Sequence, residues 1–426
     1  MNHVTGFRCL RCGNVYQAKT MPKGCPDCAA RGKPSNVSVL YDYDALRRRF
    51  DPKALVWRAP TMWRYKELLP PDEEHVVTLG EGMTALLAVP RLGARLGLPS
   101  LYVKDESRNA TWSFKDRMAS AAVSVAKELG ARVITASSSG NAGSATAAYA
   151  ARAGLDCVLF TLQSFPTAMK VNMQVYGTKL IACPTLKDRW RMVEKCVDEY
   201  GWFPTAGFVY PLIGSNPYAI EGYKTIAYEV CEQFGWKVPD VMVLPVGAGD
   251  AFFGAWKGFN ELRDAGIIDA VPRMMAAEVL GPLENAIRRG IDYVEEVPYR
   301  QSVGISAGTF TSTYQALKTV LDSGGTARSA TDDEMLSMQK ALAASEGIYV
   351  ECSSALAVAV AARLVREGLI QEHETVVCLL TASGLKDPET TLRAMPEIPL
   401  IEPTLEDLER ALAATYGFRV PAPVEG

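Results

Sequence analysis

Arg108-Asn109-Ala110-Thr111-Trp112-Ser113-Phe114-Lys115-Asp116-Arg117 carries a lysine from the end of an apolar run, Leu101 to Asp105, to the start of an Ala-rich helical stretch. A lysine at the head of a helix is most often a solvated charge. Placed just past a strand and just before a helix, it is also a candidate covalent anchor for a carbonyl compound. Three further segments decide between these readings.

Ser137-Ser138-Ser139-Gly140-Asn141-Ala142-Gly143 lies between the apolar run Ala131 to Ala136 and the helical run Ala145 to Ala153, which makes it a strand-to-helix turn. Amides at a helix N-terminus are unpaired, and the helix dipole favours an anion there. Pro245-Val246-Gly247-Ala248-Gly249-Asp250-Ala251 repeats the arrangement after Val241 to Leu244, with small residues that admit a phosphate to the backbone. Leu379-Leu380-Thr381-Ala382-Ser383-Gly384 ends another strand on a hydroxyl side chain. Asp250 is an oddity, since a carboxylate in a phosphate loop repels the ligand unless it points away or meets a cation.

Short β-rich runs alternate with amphipathic stretches along most of the chain: Leu101 to Asp105, Ala131 to Ala136, Asp156 to Leu162, Lys179 to Cys183, Val241 to Leu244, Arg273 to Glu278 and Thr375 to Leu380. This pattern predicts an α/β fold of parallel sheets with helices on both faces, with ligands at the C-terminal strand ends. At 426 residues, 48% hydrophobic and net charge −3, the chain can build two or three cores and has no basic excess for nucleic acid. It shows neither an apolar run long enough to span a membrane nor a leader peptide, so the expected location is cytoplasmic. Only His3, His75 and His373 are available, and none falls in these turns, which argues against a histidine-based triad or metal hydrolase.

Six cysteines (Cys157, Cys183, Cys196, Cys231, Cys352, Cys378) sit in apolar or helical segments and read as buried thiols. Cys9-x2-Cys12 and Cys25-x2-Cys28 have the spacing of a four-thiolate zinc ribbon. Residues 1–36 are too poor in apolar side chains to fold unaided, so a structural zinc would help there.

Taken together, the lysine, two anion nests and terminal threonine resemble the pyridoxal-phosphate enzymes of fold type II, the tryptophan-synthase fold, and within them the threonine synthase-like family. The resemblance spans about Tyr41 to Asp387 and includes Leu79-Gly80-Glu81-Gly82-Met83-Thr84, Ile220-Glu221-Gly222-Tyr223-Lys224-Thr225, Gly347-Ile348-Tyr349-Val350-Glu351 and Gly384-Leu385-Lys386-Asp387. It implies two three-layer αβα domains, residues 109–216 forming the smaller and 37–108 with 217–426 the larger, beside the ribbon-like segment 1–36. It also implies pyridoxal 5'-phosphate on Lys115, with Phe114 and Asn141 beside the ring, Gly247, Ala248, Gly249, Asp250 and Ala251 around its phosphate, and Thr381 on the pyridine nitrogen. Ser138, Ser139, Gly140 and Ala142 would hold the substrate carboxylate, and Trp112 would line the pocket. The partners implied are a small amino-acid substrate and a second copy of the chain in a homodimer.

The chain departs from threonine synthases where those grip the substrate phosphate. Their Asn-Ser-Val-Asn-Pro-His-Arg-Leu-Glu-Gly aligns with Ile213-Gly214-Ser215-Asn216-Pro217-Tyr218-Ala219-Ile220-Glu221-Gly222, so the arginine is Ala219 and two polar residues are Ile213 and Gly214. An Asn of their phosphate loop is Ala248, a Thr is Ala142, and Trp112 stands where Gly is usual. Each charge-assisted phosphate contact is worth about 1.5–3 kcal/mol. The expected activity is therefore a lyase eliminating a β-substituent from a non-phosphorylated amino acid. The alternatives are threonine synthase with an altered phosphate site, a β-replacement synthase, or a non-catalytic scaffold using the ribbon as a binding surface.

Overall fold

Gly130 decides where the strand ahead of the serine-rich turn begins. The preceding helix ends on it in the left-handed conformation, φ 74°, and the amide of Ala131 returns to the carbonyl of Ala126. Pairing therefore starts at Val133 and runs to Ser137, where the sequence predicts Ala131 to Ala136. The computed structural model describes residues 3–304 and 307–421.

The chain opens with β1 (Val4–Cys9), β2 (Val15–Tyr16), α1 (Pro26–Ala30) and β3 (Val37–Tyr41), the three strands forming an antiparallel sheet ordered β2-β1-β3. Then come α2 (Tyr43–Arg49), β4 (Ala85–Ala88), α3 (Pro90–Leu96), β5 (Leu101–Asp105), α4 (Lys115–Glu128), β6 (Val133–Ser137), α5 (Asn141–Ala153) and β7 (Asp156–Leu162). They are followed by α6 (Thr167–Gln174), β8 (Lys179–Cys183), α7 (Leu186–Tyr200), β9 (Phe203–Pro204), α8 (Pro217–Gln233), β10 (Val241–Pro245), α9 (Asp250–Asp264), β11 (Arg273–Glu278) and α10 (Pro282–Arg289). Next are α11 (Tyr314–Asp322), β12 (Thr326–Ser329), α12 (Asp332–Glu346), α13 (Cys352–Arg366) and β13 (Val376–Leu380). A separate unit from Asp387 onward holds α14 (Pro388–Leu392) and α15 (Leu405–Tyr416).

Two α/β sheets result. Four strands, β8-β7-β6-β9, are all parallel, and six, β12-β11-β10-β13-β5-β4, are parallel except for the antiparallel edge strand β4. The central strands β10 (Val-Met-Val-Leu) and β13 (Val-Val-Cys-Leu-Leu) are buried on both faces, which is why their apolar runs do not alternate. The edge strands β4 and β12 and the two-residue β9 lie outside the sequence expectation, because runs of two to four residues are too short to show a strand period.

Between the sheets' cores, charges are buried in pairs. Arg117 donates to Glu106 at 2.7 Å and to Glu229 at 2.6 Å, and Lys104 meets Glu229 at 2.7 Å, all fully buried. These bonds clamp the first turn of α4 to β5 and α8, and so hold Lys115 in place. No helix among the described residues is long and apolar enough to cross a membrane.

Candidate active site

Lys115 opens α4 from a loop stitched to the end of β13. The amide of Phe114 donates to the Thr381 carbonyl at 2.9 Å, and the amide of Ser383 donates to the Trp112 carbonyl at 3.1 Å. The lysine and threonine loops, far apart in sequence, thus form one ledge at the C-terminal end of the large sheet. Among the described residues the Lys115 amine has no hydrogen-bond partner, and it lies 4.5 Å from the Phe114 ring centroid and 5.5 Å from that of Tyr223. Burial lowers its pKa, opposed by the carboxylates of Asp250 and Glu351, which enlarges the fraction of neutral, nucleophilic amine.

Asn141 begins α5 and reaches across to the other sheet. Its amide nitrogen lies 3.3 and 3.4 Å from the Glu351 carboxylate oxygens, while its Oδ1 is buried without a partner among the described residues. Glu351 also stands 3.5 Å from the Thr381 hydroxyl, which pairs with Ser354 at 2.8 Å. Neither Glu351 nor Ser354 was assigned a role from sequence, although Glu351 closes one of the family-like stretches.

The loop after β10 has the form of a phosphate cradle. Ser312 and Thr313 hydroxyls donate to the carbonyls of Gly247 and Ala248 at 2.9 and 2.6 Å, so those carbonyls are engaged. Gly249 has φ 89°, and a Cβ there would stand 2.4 Å from Cβ of Ala316. Asp250 turns its carboxylate onto the Ser215 amide and hydroxyl, at 3.0 and 2.7 Å, and accepts from Gln315 at 2.7 Å. Its side chain is committed to this polar cluster, and only its main-chain amide is offered to the loop. The unpaired amide donors, the partnerless Asn141 oxygen and the unpaired lysine together fit pyridoxal phosphate.

Around the serine-rich turn, Ser138 Oγ accepts from the amides of Gly140 and Gly143 at 3.2 and 3.0 Å and caps α5. The amides of Ser139, Asn141 and Ala142 have no protein partner among the described residues. Ser139 instead receives Arg189 from α7, at 2.5 Å. Trp112 has φ 60°, the left-handed region, which explains the glycine usual at that place. It is half exposed and lines a cleft of about 430 Å³ with Ala110, Thr111, Val171, Val175 and Tyr176.

In the ribbon, the Sγ atoms of Cys9, Cys12, Cys25 and Cys28 all lie within 4.8 Å of one another, with Cys9 to Cys28 at 3.6 Å and Cys12 to Cys25 at 3.7 Å. A tetrahedral zinc with bonds of about 2.3 Å needs sulfurs ~3.8 Å apart. Amides of Arg11 and Cys12 point at Cys9 Sγ and that of Cys28 at Cys25 Sγ, each at 3.4 Å, as thiolates require. The donor set fits zinc.

An unpaired, desolvated lysine on a ledge between two parallel sheets, facing a cradle of free amides, defines an α/β enzyme that works through a phosphorylated carbonyl cofactor. The family model of the pyridoxal-phosphate dependent enzymes matches residues 77–382, and this chain belongs to that family, on its fold type II, threonine synthase-like branch. It is 36% identical over 414 residues to the threonine synthase of Methanocaldococcus jannaschii, covering 95% of this chain and 98% of that one. It is 35% identical over 413 residues to the threonine synthase of Methanosarcina acetivorans, at the same coverage. Among solved structures, maize serine racemase superposes with a TM-score of 0.62 at 19% identity, covering 73% of this chain and 91% of that one.

Proposed function

We propose that the chain converts O-phosphohomoserine and water to threonine and inorganic phosphate. The reading rests on one observation above others: relatives named threonine synthase align over nearly the whole of both chains, and it is supported by the joined Lys115 and Thr381 loops, by Asn141 against Glu351, and by Asp250 of the Gly247–Ala251 loop acting on the Lys115 amine. Pyridoxal phosphate, when bound, supplies the electron sink for carbanion chemistry.

The residues divide the remaining work. Lys115 would anchor the cofactor, and its amine, freed by the substrate amine, would take the α-proton, a task its lowered pKa favours. The amides of Gly247 to Ala251, at the N-terminus of α9, would receive the cofactor phosphate. The Asn141 side chain, with Glu351 beside it and an unpartnered Oδ1, would stand beside the cofactor ring, and the Thr381 hydroxyl would serve its ring nitrogen. The free amides of Ser139, Asn141 and Ala142 take the substrate carboxylate.

A second reading, β-elimination from an unphosphorylated amino acid, draws on the region where threonine synthases place phosphate-binding side chains. A Cβ on Gly214 would meet Gln315 at 2.5 Å, Asp250 at 2.7 Å and Asn36 at 2.9 Å, and Ala219 is fully buried. Phosphate release and threonine formation by the purified holoenzyme from O-phosphohomoserine test the first reading. Keto acid from serine or threonine, with no phosphate released from phosphohomoserine, would replace it with the second.

A further inference from the structure

Arg189 is a buried cation with no counter-charge. Only 7% of the residue is exposed, its Nη1 donates to the Ser139 hydroxyl at 2.5 Å, and its Nε is buried with no partner among the described residues. Among those residues no carboxylate forms an ion pair with it. Burial lowers its pKa to about 10, opposed only by the Cys183 thiol and by no carboxylate, so it remains charged at neutral pH. The Cys183 thiol lies near, and Phe160, Trp190 and Phe208 form the adjoining apolar cluster. Burying a guanidinium without a counter-charge is costly, and an anion bound beside it offsets that cost. Guanidinium matches the fork of a phosphate or carboxylate better than any other side chain.

Its place narrows the choice of anion. The α7 helix delivers it to the turn whose free amides are already suited to an amino-acid carboxylate. The region where threonine synthases would grip phosphate is occupied differently here. Ile213 packs so close to the ribbon that a Cβ on Gly24 would stand 2.8 Å from its Cδ1, Gly214 has no room for a side chain, and the Asp250 carboxylate faces Ser215. One wall has lost its cation while another holds an unpaired one.

We propose that Arg189, oriented by Ser139, is the specificity-determining residue that holds the distal anionic group of the substrate, which on the reading of the preceding subsection is the phosphate of O-phosphohomoserine. Arg189 thus replaces, from the smaller sheet, the arginine that Ala219 has displaced.

The test uses the holoenzymes of wild type, Arg189→Met and Arg189→Lys. Binding of O-phosphohomoserine and of homoserine is followed by the absorbance of the bound cofactor, turnover by phosphate release, and inorganic phosphate binding by thermal shift. The expected result for Arg189→Met is a KM for phosphohomoserine raised roughly 10- to 100-fold with a smaller change in kcat. Homoserine binding stays unchanged, and Arg189→Lys recovers part of the loss. Inorganic phosphate raises the melting temperature of wild type but not of Arg189→Met. Without ligand, Arg189→Met melts no lower than wild type, because the substitution removes an uncompensated charge. Equal weakening of both amino acids would overturn the proposal and assign Arg189 to the α-carboxylate; a lower melting temperature with unchanged KM would assign it to scaffolding. If wild type releases no phosphate from phosphohomoserine, the threonine synthase reading fails, and the inorganic phosphate arm still decides: binding lost in Arg189→Met keeps the anion pocket, and no binding by wild type removes it.

Discussion

Gly249→Ala is the sharpest probe of the phosphate cradle. The residue sits at φ 89°, where a side chain costs about 1–2 kcal/mol. The added Cβ would lie 2.4 Å from Cβ of Ala316 on α11. Carbon atoms rest at about 3.5–4.0 Å, so the loop and α11 must part by about 1 Å or more, at a cost of ~1–3 kcal/mol for overpacking. Together the two effects predict a loss of about 2–5 kcal/mol and a displaced set of amides. Gly247→Ala is the control, since its Cβ would meet Thr309 at an ordinary 3.5 Å. Chemical denaturation of the cofactor-free protein and titration with pyridoxal phosphate should show Gly249→Ala destabilised and weakly binding, with Gly247→Ala close to wild type in stability. Adding Ala316→Gly should restore part of the stability of Gly249→Ala, as coupled neighbours do. If Gly249→Ala is as stable as Gly247→Ala and binds the cofactor normally, the crowding at α11 does not shape the loop.

Two further outcomes follow from burial and from the ribbon. Burial raises the pKa of Glu278 from an ordinary 4.5 to about 8, even though the amides of Leu283 and Glu284 donate to its carboxylate. Its folded pKa lies above the unfolded one, so its contribution is fully present below about 4.5 and is lost as pH rises towards 8, at no more than about 1.4 kcal/mol per unit. Denaturation midpoints across that window should fall for wild type and flatten for Glu278→Gln; parallel profiles would exclude the carboxylate as their source. The four ribbon thiolates should carry one zinc per chain, and chelation should expose the segment between Cys9 and Cys28 to proteolysis while the rest of the chain keeps its melting transition. Metal-free protein with the same cleavage pattern before and after chelation would refute this.

The Lys115 loop, both glycine- and serine-rich turns, the terminal Thr381 and the paired ribbon cysteines were legible because each is a local device. Strand, turn and helix N-terminus follow within about ten residues, and small or hydroxyl side chains mark the places where backbone must meet an anion. The strand starting at Val133 was displaced by a helix-ending glycine one residue upstream of its expected start at Ala131, and the edge strand β12, Thr-Ala-Arg-Ser, carried too little apolar pattern to stand out. Asp250 looked misplaced because its partners, Ser215 and Gln315, lie 35 and 65 residues away.

By itself, then, the sequence determined the α/β alternation and marked the Lys115 loop, the two strand-to-helix turns and the paired cysteines, all properties of contiguous residues. Tertiary structure alone decided that Glu351 faces Asn141 across 210 residues of chain, and that Arg189 arrives at Ser139 across 50. In Leu186-Lys187-Asp188-Arg189-Trp190-Arg191 the arginine looks like any charge on a solvated helix face. Only the crossover from β8 through α7 to β9, which packs α7 against β6, buries it, and burial without a counter-charge is what turns an ordinary arginine into a candidate ligand-binding group.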